Sequence, residues 1–83
     1  MYILGDIGNS ETKVFLVNSN NKVVKNIIFS SKKVNNIFLK SKFNSIIRDF
    51  TKIEKILFCS VVPKSFNLIK KFLSKKTKIK CNE

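Results

Sequence analysis

The sequence predicts an α/β domain of order β-β-β-α-β-α, and three observations lead to it. Three short runs rich in β-branched and aromatic residues are separated by Gly, Asn and Ser clusters near the start of the chain. Over Val34–Phe50 the apolar residues change to three- and four-residue spacing. An almost continuously apolar run, Lys55–Val62, then ends on Pro63 and is followed by a second helical stripe.

Tyr2–Ile7 reads as the first strand, and its continuous apolar character predicts burial on both faces. Gly8-Asn9-Ser10 is a turn signal. Thr12–Val17 is the second strand, with Val14 and Leu16 on one face and Phe15 and Val17 on the other. Asn18-Ser19-Asn20-Asn21 turns the chain into a third strand, Lys22–Phe29. Connections this short join antiparallel neighbours. In the first helix, Val34, Ile37, Phe38, Ser41, Ile46, Ile47 and Phe50 form the predicted apolar stripe; Phe43 widens it and Leu39 lies off its centre. Lys55–Val62 is the fourth strand. Pro63 suits the first position of a helix, where its missing N–H would have had no partner. Phe66, Ile69, Phe72 and Leu73 are the buried stripe of that helix, with Lys64, Lys71 and Lys75 on its other side. Thr77–Lys80 is a candidate start for a fifth strand. Three antiparallel strands feeding an α/β crossover is the layout of a ribonuclease-H-like, or actin-like, half-domain. No repeat, linker or composition break divides the 83 residues, so a single domain is expected.

Bulk properties narrow the function without naming it. The net charge of +12 raises the prospect of a nucleic-acid partner, yet 16 of the 17 basic residues are Lys and only Arg48 is Arg. Arg is the usual reader of base edges and phosphate forks. The basic residues are also spread along the chain, with a denser stretch from Lys64 to Lys80. A small basic nucleic-acid-binding domain, using that stretch with Phe66 and Phe72, therefore stands as the alternative reading. With no His and only two Cys, the usual tetrahedral zinc site is excluded. Cys59 sits in an apolar strand pattern and is expected to be buried, Cys81 has no companion, and no disulfide is expected. No segment has the pattern of a signal peptide or a membrane span, so a cytoplasmic protein without a membrane partner is expected.

The segment that can carry chemistry is Asp6-Ile7-Gly8-Asn9-Ser10-Glu11-Thr12-Lys13, between the first two strands. A carboxylate at the end of a central strand can hold Mg²⁺, a hard cation that prefers oxygen ligands. Gly8 permits a tight turn and lets a phosphate approach closely. Asn9, Ser10 and Thr12 supply short polar groups, and loop amides can form an anion-binding nest. Lys13 adds positive charge. Taken as bare spacing, the segment favours an ordinary hairpin. Asp6 breaks that balance, because a carboxylate on a strand buried on both faces needs a partner.

This segment, a few residues from the N-terminus, resembles the first phosphate motif of the type III pantothenate kinases, members of the superfamily that includes acetate and sugar kinases, heat-shock 70 proteins and actin. Cys59-Ser60-Val61-Val62-Pro63 resembles the Ser-Val-Val-Pro strand-to-helix junction of the same family. The two motifs stand in matching order and spacing, and the likeness runs from Tyr2 to about Lys80. It implies ATP-dependent phosphorylation of pantothenate on the way to coenzyme A, with Mg²⁺ and a monovalent cation (K⁺ or NH₄⁺). Asp6 would help to hold the Mg-ATP phosphates, the loop from Gly8 through Lys13 would line the phosphate site, and Pro63 would be structural. The family also implies a homodimer at full length. A different kinase of the superfamily, such as a sugar kinase, is disfavoured by the Ser-Val-Val-Pro match.

The sequence departs from the family pattern in three ways. Ser10 stands where the family usually has Thr, and Glu11 brings a negative charge into the phosphate loop. The family's catalytic Asp belongs to a Gly-Ala-Asp-Arg motif that does not occur here; Arg48-Asp49 falls in the predicted first helix. The chain is therefore expected to be an N-terminal, actin-like ATPase lobe, truncated before the second lobe and without a catalytic residue of its own.

Overall fold

The computed structural model describes residues 1–46 and 52–83. Strands β1 (Tyr2–Ile7), β2 (Glu11–Val17) and β3 (Val23–Ser30) form a meander, followed by a 3-10 turn at Ser31–Lys33. Helix α1 (Asn36–Lys42) leads into a 3-10 segment, Phe43–Lys52, then β4 (Lys55–Ser60), α2 (Pro63–Thr77) and the two-residue strand β5 (Cys81–Asn82). The result is an α/β fold on one mixed five-stranded sheet of order β3-β2-β1-β4-β5. β1 pairs antiparallel with β2 and parallel with β4, and β5 adds in parallel to β4.

The predicted meander forms with boundaries moved by one residue. Asn18 drives the second turn: its Oδ1 accepts the amides of Asn20 and Lys22, and Asn21 takes the left-handed φ of 61° that Asn tolerates.

The first helix differs from the expected Val34–Phe50. Asn35 caps α1 by accepting the Phe38 amide, but α-helical geometry stops at Lys42. From Phe43 the chain winds as a 3-10 helix, in which residues i and i+3 eclipse. Phe43 and Ile46 thus share one face, and Leu39 joins them four residues earlier. These three are buried, whereas Ile37, placed on the expected stripe, is 85% exposed. Ile47 and Phe50 of that stripe lie outside the described residues.

Helix α2 follows its prediction, with Phe66, Ile69, Phe72 and Leu73 buried. It runs to Thr77 and ends on Lys78 in the left-handed conformation, which displaces the fifth strand from Thr77–Lys80 to Cys81–Asn82.

Both helices pack on the same side of the sheet. Leu39, Phe43, Ile46, Phe66, Ile69 and Leu73 form one core with Ile3, Ile7, Val14, Ile56 and Phe58. The other side of the sheet is open. β1 alternates instead of burying both faces: Leu4 is 40% exposed and Asp6 faces solvent. β4 alternates likewise, with Leu57 and Cys59 exposed, so the expectation of a buried Cys59 is corrected.

The buried thiol is Cys81, and both cysteines are free. Burial raises Cys81 from its ordinary 9.0 to about 11, with the charge of Lys70 offsetting part of the rise. The folded state keeps this proton while the unfolded chain loses it. The resulting stability is complete below pH 9.0 and is lost as pH rises towards about 11. Thermal midpoints of the wild type and Cys81→Ala should converge across that window.

Candidate functional site: the β1–β2 hairpin and its supports

The site lies where the carboxyl ends of the parallel strands β1 and β4 meet the β1–β2 loop. Open α/β sheets bind ligands at such ends. The loop is closed by the Gly8 amide donating to the Glu11 carbonyl at 3.0 Å. Gly8 stands in this tight turn without a positive φ. A Cβ on Gly8 would lie 3.2 Å from the Glu11 carbonyl oxygen, tighter than an ordinary contact.

Strand alternation divides the predicted residues between the two sides of the sheet. Ile7 and Thr12, paired in register, are buried on the helical side. Asp6, Glu11 and Lys13 are exposed on the open side, and Asp6 lies opposite Lys13 on β2 and Cys59 on β4. Asn9 and Ser10 are exposed at the tip. The burial-cost reading of Asp6 is therefore corrected: its carboxylate is hydrated, and its need for a partner cannot rest on desolvation. Its register neighbour on β4, Cys59, borders a concave surface that Asp6 itself does not line. Cys59, Ser60, Gly5, Leu4, Leu57 and Glu83 line this shallow trough of about 490 Å³.

Thr12 is fully buried, and its hydroxyl is 2.7 Å from the Ser31 hydroxyl. Ser31 is the hub of the site. Its amide donates to the Ser10 carbonyl at 3.0 Å, and its carbonyl accepts the Ser65 hydroxyl at 2.8 Å from the first turn of α2. The hairpin is thereby tied to the helix start. A second tie comes from the strand-to-helix junction, where the Val61 amide donates to the Ile7 carbonyl at 3.0 Å and the Val62 amide to the Ser60 hydroxyl. Sequence reasoning missed Ser31 and Ser65, because no local spacing relates residue 31 to residue 12. Ser31→Ala should leave the Thr12 hydroxyl buried without a partner and destabilise the chain by about 1–3 kcal/mol. Chemical denaturation should show that loss, with a smaller further change when Thr12→Val is added.

On the helical side, Asn9, Ser31, Lys32, Val62, Lys64 and Ser65 line a hollow of about 320 Å³. Lys32 and Lys64 bring positive charge to the loop that the motif alone does not supply. The aromatics proposed for the nucleic-acid alternative are buried: Phe66 packs against Phe58 and Phe72 against Phe43, leaving neither free to stack on a base.

Among the described residues, no group of three or more His, Cys, Asp or Glu side chains comes together. A cage made entirely of protein ligands is therefore absent there. Asp6 suits the other mode of magnesium binding, in which one carboxylate joins waters and substrate phosphates.

Comparison with known proteins agrees with the motif resemblance. A chain of Pelagibacter ubique (strain HTCC1062) described as "Type III pantothenate kinase" is 49% identical over all 83 residues, which span only 34% of that relative's length. The sequence model of the family described as type III pantothenate kinase matches residues 2–82. With both motifs inside that span and essentially every residue matched, the chain belongs to the type III pantothenate kinase family and corresponds to its N-terminal portion.

Proposed function

We propose that this chain is the phosphate-holding lobe of an ATP-dependent pantothenate kinase, built on a ribonuclease-H-like half-domain. The observation that carries the reading is the hairpin Asp6–Lys13, braced by Ser31 against the start of α2 at the carboxyl ends of two parallel strands. The sheet order and the antiparallel meander followed by parallel strands support the half-domain assignment.

In this reading Asp6 holds Mg²⁺ together with the ATP phosphates, and the exposed tip of the loop at Asn9 and Ser10 meets their oxygens. When bound, Mg²⁺ supplies neutralisation of the charge that builds on the transferred phosphoryl group. Lys13, Lys32 and Lys64 add positive charge on either side of the loop. Glu11 projects into solvent from the open side of the sheet, where water screens it. Ile7, Thr12, Ser31 and Pro63 fix the backbone and touch no ligand. The monovalent cation that the family implies is assigned to no residue here.

Phosphoryl transfer depends on groups positioned on both sides of the reacting phosphate. The chain contains no Gly-x-Asp-Arg sequence, so the base that accepts the pantothenate hydroxyl proton must come from outside these 83 residues. A coupled assay should find no pantothenate-dependent ATP turnover by the chain alone. A chimera in which these residues replace the matched third of the Pelagibacter relative should turn over ATP in a pantothenate-dependent way. A folded but inactive chimera would overturn the reading.

A further inference from the structure

We infer that the groove between α1 and α2 is a binding site for a linear polyphosphate, free or as the tail of an organic molecule. The groove encloses about 430 Å³, within the range of small-molecule sites. Asn36 and Lys40, one turn apart on α1, form one wall, and Lys71, Lys75 and Lys76 of α2 form the other. The four lysines are exposed, whereas Leu68 is half-buried and Phe72 buried, so the groove has a charged rim and an apolar floor.

Nothing in the two helices balances this charge. Neither Asn36–Lys42 nor Pro63–Thr77 contains an acidic residue. Among the described residues, none of the four lysines is held by a hydrogen bond or an ion pair. Their neighbours Lys42 and Lys70 lie instead over the rings of Phe38 and Phe66. The helix dipole compensates lysines in a last turn, which applies to Lys40, Lys75 and Lys76 but not to Lys71. Like charges one turn apart, as at Lys71 and Lys75, destabilise a helix. An anion between the helices relieves that repulsion.

Lysine ammonium groups bind phosphate as point charges, and four of them around one groove match a ligand with several charges close together. Helix α1 has seven residues, so the two-sided part of the groove is only about 10 Å long. That length suits a di- or triphosphate group and gives little grip on an acidic helix or a nucleic-acid duplex. Leu68 also lines the hollow beside the hairpin, where Lys32 and Lys64 stand. A basic path therefore runs along the helical side from Lys75 to the β1–β2 loop. The proposal needs neither Mg²⁺ nor Asp6 and does not rest on the kinase reading.

Amide-resolved NMR of the Asp6→Asn chain, with sodium tripolyphosphate and no Mg²⁺, tests the groove apart from the hairpin. Saturating shifts are expected at Asn36, Lys40 and Leu68 through Lys76. Lys71→Gln combined with Lys75→Gln should weaken binding at least about tenfold, through loss of two charge-assisted contacts. Lys13→Gln combined with Lys55→Gln removes the same charge from the open side of the sheet. At physiological ionic strength that pair should weaken binding less than about threefold, because solvent screens charges so placed. Equal losses in the two pairs would overturn the proposal, since the whole protein's charge would then be the attraction. Shifts that never saturate would overturn it too.

ATP under the same conditions separates the two sources of the polyphosphate. Tighter binding than tripolyphosphate places an organic group on Leu68 and Phe72; equal binding assigns the groove to the phosphate chain alone. Hexaglutamate competing as well as tripolyphosphate would overturn the assignment, as would duplex RNA binding more tightly at equal phosphate concentration. With Mg²⁺ and Asp6 both removed, failure here leaves the kinase reading standing, and failure of that reading leaves these shifts in place.

Discussion

Gly5→Ala should destabilise this protein by about 3 kcal/mol. Gly5 lies on the helical side of β1, directly opposite Phe58 of β4 in the parallel register. A Cβ placed there would fall within the Phe58 ring, with Cζ only 2.7 Å away. The ring cannot easily swing aside, because Phe58 is 1% exposed and leans on Phe66 with centroids 6.2 Å apart. Overpacking of this kind typically costs about 1–3 kcal/mol, and a contact this close belongs at the upper end. In a domain of this size each kcal/mol moves the thermal midpoint by about 4–8 °C, so a fall of roughly 12–24 °C is expected by circular dichroism. Adding Phe58→Leu should restore part of the loss by making room. A midpoint lowered by less than about 4 °C would mean that the core yields where the packing says it is tight.

The second large effect is on turnover. In the chimera, Asp6→Asn should reduce pantothenate-dependent ATP turnover by about 10²–10³-fold, the equivalent of about 2.7–4 kcal/mol lost from charge stabilisation at the transferring phosphate. The substitution keeps the size of the side chain and removes its charge. Asp6 is exposed and takes no part in the core, so the fold should tolerate the change. The thermal midpoint of the isolated variant is the control. Loss of activity with an unchanged midpoint locates the effect in ligand handling. Raising Mg²⁺ should recover part of the rate, because a weakened metal site fills at higher concentration. Unchanged turnover would remove Asp6 from the site.

Much of the fold was legible because local rules and tertiary packing agree. Asn18 specifies its turn, Pro63 opens α2, and the Phe66, Ile69, Phe72 and Leu73 stripe faces the core as its period requires. The first helix was misread where the rules diverge. A helical-wheel count assumes one pitch, whereas the α-helix gives way to 3-10 winding at Phe43. Within α1 itself the buried side runs through Leu39, and Phe43 four residues on continues it, while Ile37 stays in water.

The strands at the centre of the sheet were misread for another reason. A run of apolar residues reports that a strand can be covered on both faces, but not whether the residues at hand cover it. Leu4, Leu57 and Cys59 stand exposed because both helices chose one side. Asp6 is singled out by its motif alone, because the energetic reason for it fails with that open face. Ser31 and Ser65 had no sequence signal, since their hydrogen bonds join segments 19 and 34 residues apart in the chain.

The most direct test is an amide-resolved NMR titration of the 83-residue chain with ATP, with and without Mg²⁺. A protein carrying +12 charges will attract any nucleotide, so location and metal dependence decide the matter rather than affinity. Phosphate capture by the hairpin requires Mg²⁺-dependent shifts centred on Gly8 through Lys13 that vanish in Asp6→Asn. Shifts confined to Lys40, Lys71, Lys75 and Lys76 between the two helices, indifferent to Mg²⁺, would contradict it.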